Sequence, residues 1–121
     1  MNQTKNSLII DILRILPESV ECLIQAPSIE NAIISGMLRK TDVDYFQRLF
    51  LDEQSKALFI QQEKEDSFSI YIQKIEIKKD GILLFEGFDG CDYGVISKYV
   101  DIPEWFKEKY IPNTCMVSSL W

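Results

Sequence analysis

The pattern of apolar and polar positions changes character near the middle of the chain. In "SLIIDILRIL", Leu8, Ile9, Ile12, Leu13 and Leu16 recur at helical spacing, and Ser7 is a candidate N-cap. Pro17 cannot continue that hydrogen-bond ladder but suits the first turn of a new helix. The spacing therefore predicts a second short helix over 17–26, with Val20, Leu23 and Ile24 inward. After Pro27-Ser28, "SIENAIISGMLRK" predicts a third, with Ile29, Ala32, Ile33 and Met37 on one face. "TDVDYFQRLFLDE" predicts a fourth, with Thr41 as its cap, acids in the first turn, and Val43, Phe46, Leu49 and Phe50 as the apolar set. Residues 7–53 read as mainly helical.

Beyond that point the period shortens. "KALFIQQ" and "SFSIYIQKIEIKK" are rich in β-branched residues and alternate, which predicts strands. Phe68, Ile70 and Ile72 share one parity, and Ile75 and Ile77 the other, so a bulge is expected near Gln73-Lys74. Asp80-Gly81 is a hairpin turn dipeptide. "ILLFEGF" is apolar on both parities and is expected centrally in the sheet. "YGVISKYV" follows as a strand, "DIPEWFKEKY" as a short helix opened by Pro103, and "NTCMVSSLW" as a candidate last strand. Trp105 and Phe106 are expected to plug the end of the sheet. The pattern predicts one α+β domain over 1–121, with N-terminal helices packed on a C-terminal antiparallel sheet spanning about 56–121.

Size agrees with that reading, because 121 residues suffice for one core. No apolar run approaches the ~20 residues of a membrane helix. The apolar N-terminal stretch contains Asp11 and Arg14, so an amphipathic helix is expected there and not a secretory signal. Three cysteines without a C-x-x-C spacing suggest reduced thiols and a cytoplasmic protein, with neither a disulfide framework nor a zinc signature. The net charge of −6 disfavours direct binding to a phosphate backbone. Residues 51–121 carry 8 basic and 13 acidic side chains, so the acid is concentrated there. An acidic half steers a basic partner or simply keeps the chain soluble.

Candidate chemistry centres on "FEGFDGCDYG", residues 85–94. Glu86, Asp89 and Asp92 recur every three residues among Gly87, Gly90 and Gly94. A calcium loop places oxygen ligands every second residue and ends in a bidentate Glu, which this stretch lacks. A phosphate cradle opens a helix, whereas this stretch opens a strand between carboxylates. The absence of histidine removes Cys–His dyads, Ser–His–Asp triads and histidine metal sites, and acidic neighbours keep Cys91 protonated. No cofactor and no metal are expected. A hairpin turn explains the glycines, with the acids in water and with Phe88 and Tyr93 as cross-strand packing or an interface edge. Glu63, Glu65 and Asp66 are expected in a solvated loop between two strands.

Residues 81–110, "GILLFEGFDGCDYGVISKYVDIPEWFKEKY", combine a strand, an acidic turn, a second strand and a proline-started helix bearing Trp105. This run is similar to segments of small acidic bacterial immunity proteins. Those inhibitors neutralise toxin domains in contact-dependent growth inhibition and related polymorphic toxin systems. The resemblance implies a non-enzymatic protein that blocks the active site or substrate surface of a cognate, often basic, toxin such as a nuclease. An acidic face serves that task by speeding association and mimicking phosphates. The candidate partner-binding residues are Asp89, Asp92 and Tyr93, then Glu86, then Glu63, Glu65 and Asp66. Two rivals stand beside this reading. One is a ligand binder or carboxylate enzyme built on Glu86, Asp89 and Asp92. The other is a structural or adaptor subunit with an exposed apolar patch.

Overall fold

The computed structural model describes residues 7–43 and 45–121. The expected cap at the Ser7 side chain and the acid at Asp44 fall outside what is described. The described residues form one α+β unit with four α-helices and a seven-stranded mixed sheet. The helices are α1 (Ser7–Ile15), α2 (Ala32–Met37), α3 (Glu53–Asp66) and α4 (Glu104–Tyr110). The strands are β1 (Val20–Gln25), β2 (Arg39–Lys40), β3 (Gln47–Leu51), β4 (Lys74–Lys79), β5 (Ile82–Phe88), β6 (Tyr93–Ile96) and β7 (Cys115–Val117), in the spatial order β2-β3-β1-β4-β5-β6-β7. Five of the pairings are antiparallel, and β6–β7 is parallel. A parallel pair needs a crossover, and α4 supplies it. The expectation of a purely antiparallel sheet is corrected on that point.

Three expected elements change type. Residues 20–25 form a strand where a helix was expected, because Val20, Cys22 and Ile24 alternate into the core. Six residues with Val20, Leu23 and Ile24 fit both periods, and pairing with β3 and β4 decides between them. Gln47–Leu51 is also a strand, with Leu49 and Leu51 buried and Phe50 on the opposite face. Thr41 closes a turn and caps no helix: its hydroxyl accepts from Val43 N and donates to the Phe46 carbonyl. "KALFIQQ" lies inside α3. That helix opens on a reciprocal cap, in which the Asp52 side chain accepts from Ser55 N and the Ser55 hydroxyl accepts from Asp52 N. Its buried residues are Phe59 and Glu63, one turn apart, so it shows little apolar periodicity.

Smaller corrections follow from the same register. Phe68–Tyr71 is a short 3-10 helix, so the parity change at Gln73 marks entry into β4. The irregularity in pairing lies between Ile77 and Lys78. In α2, Ile34 is the buried residue, Ile33 is exposed, and Asn31 supplies the cap by accepting from Ile34 N at 3.0 Å. Phe106 is buried as expected, while Trp105 is 47% exposed and does not plug the sheet.

The core lies on one face of the sheet. Leu49, Cys22, Ile77, Phe85 and Ile96 form a cross-strand row there, all buried. Leu8 to Leu13 of α1 are buried without interruption. That run includes Asp11, whose carboxylate accepts from Tyr110 Oη at 2.6 Å, Lys109 Nζ at 2.9 Å and Arg14 at 3.0 Å. The opposite face carries the row Arg48, Leu23, Glu76, Glu86, Val95 and Met116 and remains at the surface. Among the described residues no helix is long and apolar enough to cross a membrane.

Candidate interaction surface

The hairpin between β5 and β6 turns through Asp89, Gly90, Cys91 and Asp92. Asp89, Gly90 and Cys91 have φ values of 53°, 75° and 59°. Gly90 takes that region freely, but Asp89 and Cys91 carry a Cβ, and their left-handed conformations cost free energy that the surroundings must offset. They do so through the backbone. Asp89 N donates to the Gln73 carbonyl at 3.1 Å, Gly90 N to the Ile72 carbonyl at 2.8 Å, and Asp92 N to the Phe88 carbonyl at 3.1 Å. A Cβ on Gly90 would sit 3.1 Å from the Ile70 carbonyl oxygen, so the turn lies against the 3-10 segment. Cys91 points inward and is buried, and burial pushes its thiol pKa up. The side chains of Asp89 and Asp92 are left outward and exposed. Neither makes an ion pair with any described residue.

The other two glycines serve the core. Gly87 and Gly94 are cross-strand partners. A Cβ on Gly94 would lie 2.5 Å from the Phe85 ring, and one on Gly87 2.9 Å from it. The two bare backbones make the space that this buried ring occupies. Burying a phenylalanine contributes about 1.5–3 kcal/mol, which accounts for the glycines without a ligand.

The open face beside the turn combines aromatics with paired charges. Tyr93, exposed, stacks on Phe88 with centroids 5.4 Å apart and planes at 26°. Lys74 Nζ lies 5.8 Å from the centre of the Phe88 ring. The same ammonium stands 3.4 Å from Glu76 and 3.8 Å from Glu86, and Lys78 is 4.0 Å from Glu76. Glu86 is therefore half-buried beside Lys74 and is not a free acid.

The remaining expected acids separate. None lies in a loop between strands; all three are on α3. Glu63 is buried and accepts from Ser69 N at 2.9 Å and Ser69 Oγ at 2.6 Å, which ties the helix to the 3-10 segment. Burial raises its pKa, and the two Ser69 bonds offset this only in part. It is withdrawn from any contact surface. Glu65 is exposed and accepts from Gln61 at 3.1 Å; Asp66 is exposed and accepts from Asn31 at 3.0 Å. The Asp11 carboxylate is a structural centre whose one mark in the sequence is an acid inside an otherwise apolar helix face.

Among the described residues no three Cys, Asp or Glu side chains converge as metal ligands. Neither a protein-family model, nor a curated protein, nor a solved structure matches this chain.

Proposed function

We propose that this chain is an immunity-type inhibitor that binds a basic toxin domain through the β5–β6 turn. One observation carries the reading: Asp89 and Asp92 stand exposed and unpaired on a turn fixed by backbone bonds to Ile72 and Gln73. Such a turn presents two carboxylates at little further entropic cost, which favours fast and specific association. The Phe88–Tyr93 stack beside it supplies a rigid aromatic edge of the kind that anchors interfaces. The chain's net charge of −6 adds long-range steering toward a cationic partner. The rival carboxylate chemistry on Glu86, Asp89 and Asp92 is weakened at one of its three acids, since Glu86 is engaged by Lys74.

The test is the double variant Asp89→Asn, Asp92→Asn, measured for association with the toxin domain encoded beside this chain, as salt is raised. The wild type is expected to associate more slowly as salt rises, and the variant to start slower and respond less. Tyr93→Ala is expected to speed dissociation and leave the salt dependence unchanged. If neither variant changes binding, the turn is structural only and the reading falls.

A further inference from the structure

Glu63 is a buried acid that the proposed contact does not use. It is 2% exposed, and two buried residues close it off. Ser69, in the 3-10 segment, meets the carboxylate with both its N–H and its hydroxyl. Cys91, in the acidic turn, lies near it: desolvation raises the thiol pKa, and the Glu63 charge raises it further.

The 3-10 segment and the turn are joined. Gly90 N donates to the Ile72 carbonyl at 2.8 Å and Asp89 N to that of Gln73 at 3.1 Å. A Cβ on Gly90 would come within 3.1 Å of the Ile70 carbonyl oxygen, so no gap separates the two. The segment has an anchor at each end. The Phe68 ring meets Phe59 edge-on with centroids 5.0 Å apart, and Gln73 N donates to the Gln25 carbonyl at 2.7 Å. Between those anchors, Glu63 supplies the side-chain tie to α3.

The charges around Glu63 do not compensate it. Asp66, on the same helix, adds a like charge. Asp52 and Glu53 are exposed at the start of α3, Lys56 is turned to the Leu16 and Pro17 carbonyls, and Lys64 and Glu65 are exposed. In α1, Asp11 and Arg14 engage each other, and Asp11 also takes Lys109. Helix α2 carries no charged residue. Beneath, Glu21, Arg48, Lys74, Glu76, Lys78 and Glu86 lie on the open face of the sheet, and Lys79 is at the β4–β5 hairpin. Asp89 and Asp92 point outward. Among the described residues Glu63 has no ion pair. An ionised Glu63 is then a buried charge held by Ser69, and water reaches it when Ser69 and Cys91 move aside. They carry the 3-10 segment and the turn with them.

We infer that Glu63 is a pH-dependent latch on the acidic turn: protonated, it keeps the 3-10 segment and residues 89–92 closed over it, and ionised, it lets them open more often. Burial places this transition above the usual carboxylate value. The latch itself needs no partner; its use, in setting how firmly the turn is presented, rests on the toxin reading.

The experiment is amide hydrogen exchange on the full chain from acid to neutral pH, at several low urea concentrations and corrected for intrinsic rates. Asp89→Asn with Asp92→Asn is the background, which removes the turn's own titrations. Protection of the Ser69 and Gly90 amides is expected to fall as pH rises, by up to ten-fold per pH unit, the limit for one proton. It is expected to respond little to urea, as local opening does, while amides of the β1–β3 pairing respond strongly. Glu63→Gln, a mimic of the protonated acid, is expected to hold both amides at their acid level throughout. Ser69→Ala is expected to move the transition to higher pH, because the lost hydroxyl bond favoured the charged form. If Glu63→Gln does not fold, Ser69→Ala alone decides. Exchange of Ser69 and Gly90 with the same urea response as the β1–β3 amides, a pH dependence that survives Glu63→Gln, or an unmoved transition in Ser69→Ala would overturn the inference. No partner enters the measurement, so its failure leaves the toxin reading standing, and the reverse holds too.

Discussion

The Tyr110 hydroxyl donates a 2.6 Å hydrogen bond to the buried carboxylate of Asp11, joining α4 to α1 across 99 positions of sequence. Burial alone would raise the pKa of Asp11. Hydrogen bonds from Tyr110 and Lys109, and the nearby Lys109 charge, outweigh it and hold the carboxyl below its usual value. Tyr110→Phe is expected to cost about 1.5–3 kcal/mol, the range for a hydrogen bond to a charged group. Urea denaturation at pH 7 checks this. The contribution of Asp11 is fully present above its unfolded pKa of about 3.9 and is lost as pH falls through its depressed folded value.

Glu63 has the opposite sign. Its folded pKa is raised, so the folded state holds its proton more tightly than the unfolded state does. Stability from this site is greatest below the unfolded value of about 4.3 and declines as pH rises toward the raised folded value. Glu63→Gln is expected to flatten the stability profile over that window. Denaturation midpoints measured from acid to neutral pH provide the check, and an unchanged slope would contradict the assignment.

Gly87 is expected to be intolerant of a methyl group for a reason that a second change relieves. A Cβ there would meet Ile75 Cγ2 and the Phe85 ring, both at 2.9 Å. Gly87→Ala is expected to destabilise by about 1–3 kcal/mol, the cost of overpacking. In a Phe85→Leu background the added cost is expected to be smaller. A double-mutant cycle measures the coupling, on the order of 1 kcal/mol.

All three thiols are expected to be inert in the folded protein. Cys22, Cys91 and Cys115 are buried. Desolvation pushes Cys22 and Cys115 up to about 12 and raises Cys91 as well. Thiolate is the reactive species, so native alkylation is expected to be slow and limited by unfolding. Adding denaturant is expected to release all three cysteines to a thiol reagent at once.

Much of the second half was legible. Asp80-Gly81 turns the β4–β5 hairpin with φ values of 52° and 80°, as the dipeptide implies. The acidic turn, the helix after Pro103 and the last strand also appear where turn chemistry and proline placed them. The first half was less legible because its segments are short. Val20–Gln25 satisfies both periods, and only its position between β3 and β4 resolves the choice. In α3 the signal was in the cap, Asp52 with Ser55, since a helix with Phe59 and Glu63 as its buried residues carries little apolar rhythm. At the candidate surface, sequence spacing grouped Glu86 with Asp89 and Asp92, but strand pairing put Glu86 beside Lys74. Glu63 looked like its solvated neighbours because nothing local announces the Ser69 contact.

The Asp11–Tyr110 contact also bears on how the chain is made. During synthesis α1 leaves the ribosome long before residue 110 does. Until then Asp11 sits in an apolar helix with Arg14 as its available partner, and burying α1 would strand a carboxylate that the hydroxyl and Lys109 later satisfy. Seating α1 before α4 would cost the burial of a carboxylate without its Tyr110 and Lys109 partners. A chain interrupted before α4 is therefore expected to hold Leu8, Ile9, Ile12 and Leu13 less firmly in the core, and apolar surface of that kind invites aggregation.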